Sequence, residues 1–247
     1  ELESSVVGAQ LGSQAISTSL KAGAIGLAIV MVFMIIMYAV PGIAASLALA
    51  IYTTLVIATL YLFEITLTLP GIAGIILGIG MAVDANVIVF ARVREEIATG
   101  KSVQTSMKIG FQKAMSAILD GNITTLIASV VLMALGSGTV KGFAYTLMIG
   151  IILSLFTAMV VTRYILYSLY ALGLKSEKLY GRAKERKSID FIGKKAVFFT
   201  ISGIIIAAGL ISMGVHSATE GKALNYGLDF MGGTSTTADF GKDMTIE

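Results

Sequence analysis

The 247-residue sequence contains no cysteine, a single histidine and little charge. Without cysteine the chain has no disulfide framework and no thiolate metal site. His216 lies just past an apolar run in a polar stretch, so we interpret it as a solvated side chain and not as a metal ligand. Charged residues make up 13% of the chain, whereas soluble domains contain about 25%. These deficits exclude a disulfide-stapled domain and argue against an ordinary soluble one.

Long apolar runs replace the missing charge. Hydrophobic residues make up 56% of the chain, and its mean hydropathy is +0.88. The hydrocarbon core of a bilayer is about 30 Å thick and takes about 20 apolar residues per helix. Six stretches of this kind are present, at residues 22–38, 43–63, 71–90, 114–135, 143–170 and 196–215. The sequence therefore predicts an all-α polytopic membrane protein with six transmembrane helices.

Turn signals and the two ends of the chain complete this outline. Pro41-Gly42 and Pro70-Gly71 separate the first three stretches and predict a series of tight helical hairpins. The sequence starts at Glu1 without an initiator methionine and ends at Glu247 within a segment that resembles a strand. No signal-peptide pattern is present at the start. We therefore expect this chain to be a fragment of a longer protein.

Positive charge is concentrated in two loops. Residues 92–113 and 173–195 hold 13 of the 18 lysines and arginines, and the positive-inside rule places both loops in the cytoplasm. The first, third and fifth helices then run inward, and residues 1–20 and 216–247 lie outside. The basic run 181–187 can also be interpreted as a nucleic-acid patch, but beside membrane spans it more commonly sets topology and contacts anionic headgroups. Val103, Met107 and Phe111 recur at four-residue spacing and predict an amphipathic helix at the membrane interface.

Ionisable residues inside the predicted spans are few. Glu64 and Arg163 lie at span ends, where a long side chain can reach the interface. Asp84 lies 13 residues into the third helix, about 20 Å along it at 1.5 Å per residue. An acid at that depth costs roughly 2.5 to 3.5 kcal/mol to insert and is a functional-site candidate by default.

Glycines approach Asp84 along the same helix. Gly74 and Gly78 form a small-xxx-small pair that allows a second helix backbone to come close. Gly80 and Asp84 are four residues apart and therefore share a face. We expect Gly74, Gly78 and Gly80 to be helix-packing positions and the Asp84 carboxylate to point into a packed interface instead of lipid.

The predicted fourth helix carries a second polar cluster near its start. It consists of Ser116, Asp120, Asn122, Thr124 and Thr125. Because the third and fourth helices are antiparallel, Asp120 and Thr124 lie about 9 and 15 Å from the inner end, against about 10 Å for Asp84. An Asp, Asn and Thr cluster is one interpretation of these depths. Polar capping at the start of a helix explains Asp120 and Asn122 equally well.

A carboxyl group at this depth suits proton coupling. Desolvation favours its neutral form and a cationic partner favours its charged form. Exposing such a group alternately to the two aqueous sides lets it take up and release protons. A charge crossing the membrane potential yields about 2.3 kcal/mol per 100 mV, which is enough to bias a conformational equilibrium.

Several motifs resemble the SecD/SecF family of protein-export membrane proteins. Residues 70–87, PGIAGIILGIGMAVDANV, resemble the fourth transmembrane helix of SecD. The runs DGNITTL at 120–126, GTVKGFA at 138–144, FTA at 156–158 and TR at 162–163 extend the match. The Leu11-Gly12 region resembles the exit from the first SecD periplasmic domain, and NYGLDFMGGT at 225–234 resembles the segment after the first SecF helix.

This resemblance implies a fused SecD and SecF chain of the resistance-nodulation-division superfamily. The expected parts are a periplasmic-domain exit at 1–20, a SecD-type transmembrane domain at 21–172 and a basic cytoplasmic linker at 173–195. The first transmembrane helix of the SecF half is expected at 196–215, and the start of its periplasmic α+β domain at 216–247. In such folds coupling sites lie where the two halves meet.

The resemblance also implies a function. It predicts an accessory subunit of the Sec translocon, in the bacterial cytoplasmic membrane, that uses the proton-motive force to promote export and is not an enzyme. Asp84 is then the proton-coupling carboxylate, supported by Asp120, Asn122, Thr124 and Thr125. Protons are the coupling ion, and no cofactor, metal or nucleic acid is expected. The expected partners are the Sec channel with its accessory membrane proteins, the translocating preprotein, the lipid membrane and the missing SecF half of the chain.

Three alternatives explain part of the same pattern. A proton-coupled drug or lipid exporter of the superfamily shares the helices and the buried acid, but not the 227–234 signature. An intramembrane aspartyl protease needs two acids such as Asp84 and Asp120. Its Gly-x-Gly-Asp motif is absent, because Asp84 follows Gly80 by four residues. A structural scaffold leaves the depth of Asp84 unexplained.

Overall fold

The computed structural model describes residues 9–181, 192–221 and 224–226, and none of these residues lies in a β-strand. The helices in chain order are α1 (Ala9–Tyr38), α2 (Val40–Leu62), α3 (Leu69–Ala98), α4 (Val103–Leu135), α5 (Gly138–Phe156), α6 (Thr162–Ala171), α7 (Glu177–Tyr180) and α8 (Lys195–Glu220). A π-helical turn, Thr157–Val161, joins α5 to α6 in one continuous span. Within these described ranges, six spans are long and apolar enough to cross a bilayer, which confirms the predicted helical membrane fold.

Local chemistry determines where the helices begin. The Thr68 hydroxyl accepts a hydrogen bond from the Gly71 amide at 3.0 Å, and Pro70 occupies the first turn of α3. Ser102 caps α4 in the same way, accepting from the Thr105 amide at 3.3 Å. Each cap satisfies a backbone amide that would otherwise be unpaired at the start of its helix.

The fourth helix is longer than predicted. It begins at Val103 instead of residue 114, and α3 continues to Ala98, so only residues 99–102 connect the two. The separate interfacial helix predicted around Met107 and Phe111 is therefore wrong. Both side chains are buried in the core, because a close approach at Gly110 and Val93 brings this part of α4 against α3. The apolar face that suggested lipid contact is covered by protein.

The chain divides into two compact units, residues 1–184 and 185–247. In the first unit α3 is central and packs against α1, α2, α4 and α5. Residues 9–20, predicted to leave a periplasmic domain, are helical in α1. In the second unit α8 is an apolar helix that extends past residue 215 and includes His216. Residues 182–191 of the linker predicted at 173–195, and residues 222–223 and 227–247 of the α+β start predicted at 216–247, lie outside the described residues.

Helices α3 and α5 run parallel along a strip of small residues. Gly71 lies against Gly142, Gly74 against Thr146, and Gly78 against Gly150. On α5 this strip is buried and recurs every fourth residue, at Gly142, Thr146, Gly150, Ser154 and Ala158. A side chain at Gly74 or Gly78 would collide with Thr146 or Tyr52, so the predicted close helix approach at Gly74 and Gly78 is observed.

Candidate functional site

Asp84 lies on a face of α3 that no described residue covers. Its side chain is exposed, as is Gly80 one turn earlier, where an added Cβ would meet no described heavy atom within 4 Å. Asp84 makes no hydrogen bond or ion pair within the described part of the chain. The packed interface expected around the Asp84 carboxylate is thus not formed by these residues. Helix packing at Gly80 stays a prediction for a neighbour outside them.

Asp84 and Asp120 lie at the same level on neighbouring antiparallel helices. Asp84 precedes Val93 by nine residues, and Asp120 follows Gly110 by ten, where Val93 and Gly110 mark the close contact of α3 and α4. At 1.5 Å per residue both acids are about 14 to 15 Å from that contact. Asp120 is exposed as well. The two carboxylates therefore sit at a common depth on open surface.

The other polar groups of α4 are hydrogen-bonded within their own helix. The Asn122 amide donates to the Ile118 carbonyl at 2.7 Å, and the Thr124 and Thr125 hydroxyls donate to the Gly121 carbonyl at 2.9 and 3.3 Å. The Ser116 hydroxyl donates to the Asp120 carboxylate at 3.4 Å. None of these groups bonds to Asp84 in the described structure. They line α4 without forming a closed site.

The capping interpretation of Asp120 and Asn122 is wrong. The N-cap of α4 is Ser102, and Asp120 lies in the middle of the helix. A carboxylate and an amide in a helix interior satisfy no helix start. Capping of the helix start therefore does not account for Asp120 and Asn122.

Asn86 is a polar residue that the sequence-based site did not include. Its side chain is only 3% exposed, its amide nitrogen donates to the Ala82 carbonyl at 3.2 Å, and its Oδ1 has no partner among the described residues. Extending the Gly78 to Gly150 register by eight residues places Asn86 level with Ala158, in the π-helical turn. A polar residue two positions after Asp84 in an apolar span was the signal that could have indicated it.

Around the π-helical turn, three buried hydroxyls bond to their own helix. Ser154 donates to the Ile151 carbonyl at 2.8 Å, Thr157 to Leu153 at 2.9 Å and Thr162 to Thr157 at 3.1 Å. π-Helical turns carry one extra residue and are frequent at functional sites. The turn lies at the level of Asn86, so the irregular stretch between α5 and α6 is level with the part of α3 that carries Asp84 and Asn86.

An ion cluster closes the other end of the α3–α4 pair. Glu96 is buried, with 5% exposure, and its carboxylate contacts the ammonium groups of Lys101 and Lys113, the latter at 2.6 Å. The cluster joins Glu96 near the end of α3 to Lys101 in the short connection and to Lys113 in the third turn of α4. It is separate from Asp84 and holds the helix pair together.

The fold and these features define a polytopic membrane protein with two exposed acids at one level on neighbouring helices. Residues 1–171 match the family model described as "Protein export membrane protein SecD/SecF, C-terminal". That match covers more than half of the chain. The chain belongs to the SecD/SecF protein-export membrane family.

Individual relatives agree with this assignment. The protein translocase subunit SecD of Synechocystis is 53% identical over 165 residues, which are 67% of this chain and 35% of the relative. The protein translocase subunit SecDF of Bacillus subtilis is 35% identical over all of this chain and 35% of its own length. The crystal structure of SecDF from Thermus thermophilus, described as a translocon-associated membrane protein, superposes with a TM-score of 0.79 at 32% identity over 92% of this chain and 31% of that one. The chain spans about a third of the length of these relatives.

Proposed function

We propose that the protein containing this chain is an accessory subunit of the bacterial Sec translocon that uses the proton-motive force to promote protein export. The observation that carries the proposal is the exposed Asp84 on α3, level with Asp120 on α4. A carboxylate at membrane depth on an uncovered helix face is costly, and such residues mark ion and proton pathways. The relatives, which are named as translocase subunits, support the export part of the proposal.

The mechanism follows from the position of Asp84. When the open face meets apolar surroundings, the neutral acid is favoured; when it meets water or a cationic partner, the proton leaves. Its face is uncovered, whereas the opposite face of α3 is held by the strip of small residues on α5. A change in the charge of Asp84 therefore alters the contacts of one face, while the packing of the other face on α5 is kept. Asp120, Asn122, Thr124 and Thr125 supply polar groups along the neighbouring helix.

Asp84→Asn in the full-length protein tests this proposal. We expect the proton-gradient-dependent part of preprotein export to be lost, because the amide cannot take up and release a proton, while membrane insertion and folding stay intact. Export into vesicles is measured with and without a gradient, and Asp120→Asn is compared. Unchanged gradient-dependent export in the Asp84→Asn protein would refute the mechanism.

The orientation of the loops is part of the same proposal. We place residues 99–102 in the cytoplasm and residues 63–68 outside, following the positive-inside rule. This chain has no cysteine, so Thr66→Cys and Ser102→Cys in the full-length protein, with any cysteine elsewhere replaced, give single thiols at opposite ends of α3. A membrane-impermeant maleimide should label Thr66→Cys in intact cells and Ser102→Cys after permeabilisation only; the reverse pattern contradicts the orientation.

A further inference from the structure

Arg94 joins the end of α1 to the end of α3. Its guanidinium donates a hydrogen bond to the Met37 carbonyl, and its Cζ lies 4.3 Å from the centroid of the Tyr38 ring. Tyr38 in turn packs on Phe90 of α3, with the ring centroids 5.5 Å apart. Met37 and Tyr38 are the last residues of α1, where carbonyls are unpaired and the helix dipole favours a cation. Arg94 therefore holds the end of α1 by charge, hydrogen bond and cation–π contact.

A third segment lies on the same guanidinium. Residues 174–181, which we call the docked segment, contain α7 and pack against α2 and α3. Tyr180 is 1% exposed, and its hydroxyl donates to the Leu174 carbonyl at 2.8 Å. Burial, with a smaller contribution from Tyr170, raises the pKa of Tyr180 to about 12. Gly181 has φ +83°, and any side chain there would collide with the Arg94 guanidinium. The docked segment thus rests directly on Arg94.

Two features of this joint are unfavourable as it stands. The Nε of Arg94 is buried without a hydrogen-bond partner among the described residues. Ala39, which follows Tyr38 and separates α1 from α2, has φ +50°, a conformation that residues with a side chain rarely adopt. Unpaired buried donors and strained backbone each cost free energy and collect at segments that switch between arrangements. The contact of Arg94 with the end of α1 therefore carries two free-energy costs that a change of conformation would relieve.

We propose that Arg94 is a positioning residue that couples α3 to both α1 and the docked segment. Asp84 lies ten residues earlier on the same helix, about 15 Å away. A shift of α3 caused by a change in the charge of Asp84 moves Arg94, and with it the end of α1 and the start of the chain that leads to α8. The inference rests on the proposed function, because it names the contact through which Asp84 acts on other segments. Lysine does not replace Arg94, since one ammonium cannot stack as a plane on Tyr38 while it donates to the Met37 carbonyl.

Undocking of residues 174–181 is measurable with one thiol. Leu179 is partly buried against the core, so Leu179→Cys in the full-length protein, with any cysteine elsewhere replaced, reacts faster with a maleimide when the docked segment lifts. We expect Arg94→Ala to raise the labelling rate by about tenfold, and Arg94→Lys to restore little of the slow rate. Gly181→Ala should have the same effect without altering Arg94 itself.

Arg92→Ala is the matched control, because Arg92 is exposed on the same helix and pairs with Glu95 at 2.7 Å on the surface. Its labelling rate should equal that of the parent protein. The inference is overturned if Arg94→Ala and Gly181→Ala both leave the rate unchanged, or if Arg92→Ala raises it as much as they do.

Coupling to Asp84 is read from a double-mutant comparison. Asp84→Asn, a neutral stand-in for the protonated acid, should change the labelling rate by about fivefold or more when Arg94 is present. In the Arg94→Ala background the same substitution should change it by less than about twofold. No change in the first background, or an equal change in both, overturns the coupling.

Export assays on the same proteins keep the two proposals apart. If Asp84→Asn abolishes gradient-dependent export but changes labelling equally in both backgrounds, the proposed function stands and the role of Arg94 fails. If Asp84→Asn exports normally, the proposed function fails whatever the labelling shows.

Discussion

The two faces of α3 both carry glycines and a polar residue, but these residues are packed on one face and exposed on the other. On the closed face Gly74 and Gly78 lie against α5, and Asn86 is buried. On the open face no described residue covers Gly80 or Asp84. Small residues on the closed face are explained by close helix packing within the chain. The open face has no such explanation. The closed face is therefore satisfied by packing within the chain, whereas the acid on the open face requires a functional reason.

The largest effect is expected from one substitution placed on each face. Gly78→Leu should lower the stability of the full-length protein by about 3 kcal/mol or prevent its folding, because the side chain would collide with Tyr52 between α3 and α5. Gly80→Leu should cost less, since no described atom lies within 4 Å of a Cβ at that position. Thermal unfolding in detergent compares the two. Equal destabilisation would show that the open face is tightly packed in the complete protein, and the comparison would fail.

A medium effect should distinguish the ion cluster from a surface pair on the same helix. Glu96→Gln removes the negative charge between Lys101 and Lys113, whereas Glu95→Gln breaks only an exposed pair with Arg92. We expect the melting temperature to fall more for Glu96→Gln, because exposed pairs contribute little. The difference should shrink in high salt only slightly, since Glu96 is screened from solvent by its burial. Identical melting temperatures for the two variants would argue that the cluster does not hold α3 to α4.

The smallest effect concerns the closed face. The Tyr52 hydroxyl is fully buried between Gly78 and Gly150 and has no hydrogen-bond partner among the described residues. Tyr52→Phe should therefore leave stability unchanged or raise it by up to about 1 kcal/mol, because an unpaired buried hydroxyl is lost. A clear loss of stability in Tyr52→Phe would mean that the hydroxyl is bonded in the membrane.

Sequence patterns predicted the spans and one close helix contact well. Hydropathy located all six membrane helices, because a span must be apolar over its whole length whatever it packs against. Small-residue spacing predicted the close contact at Gly74 and Gly78, and helix arithmetic placed Asp84 and Asp120 at one level. The start of α4 was missed, since Val103, Met107 and Phe111 present the same amphipathic pattern to a protein neighbour as to a lipid surface.

By itself the sequence determined that this chain is a helical membrane protein with one acid, Asp84, deep in an apolar helix. Exposing polar groups to lipid is costly, so a span is recognisable from its composition and periodicity. Only the tertiary structure decided which face of α3 is closed, that Gly80 and Asp84 lie on the open one, and that Arg94 meets α1 and the docked segment. Such contacts join residues far apart in the chain. They depend on helix crossing and register, which local patterns do not encode.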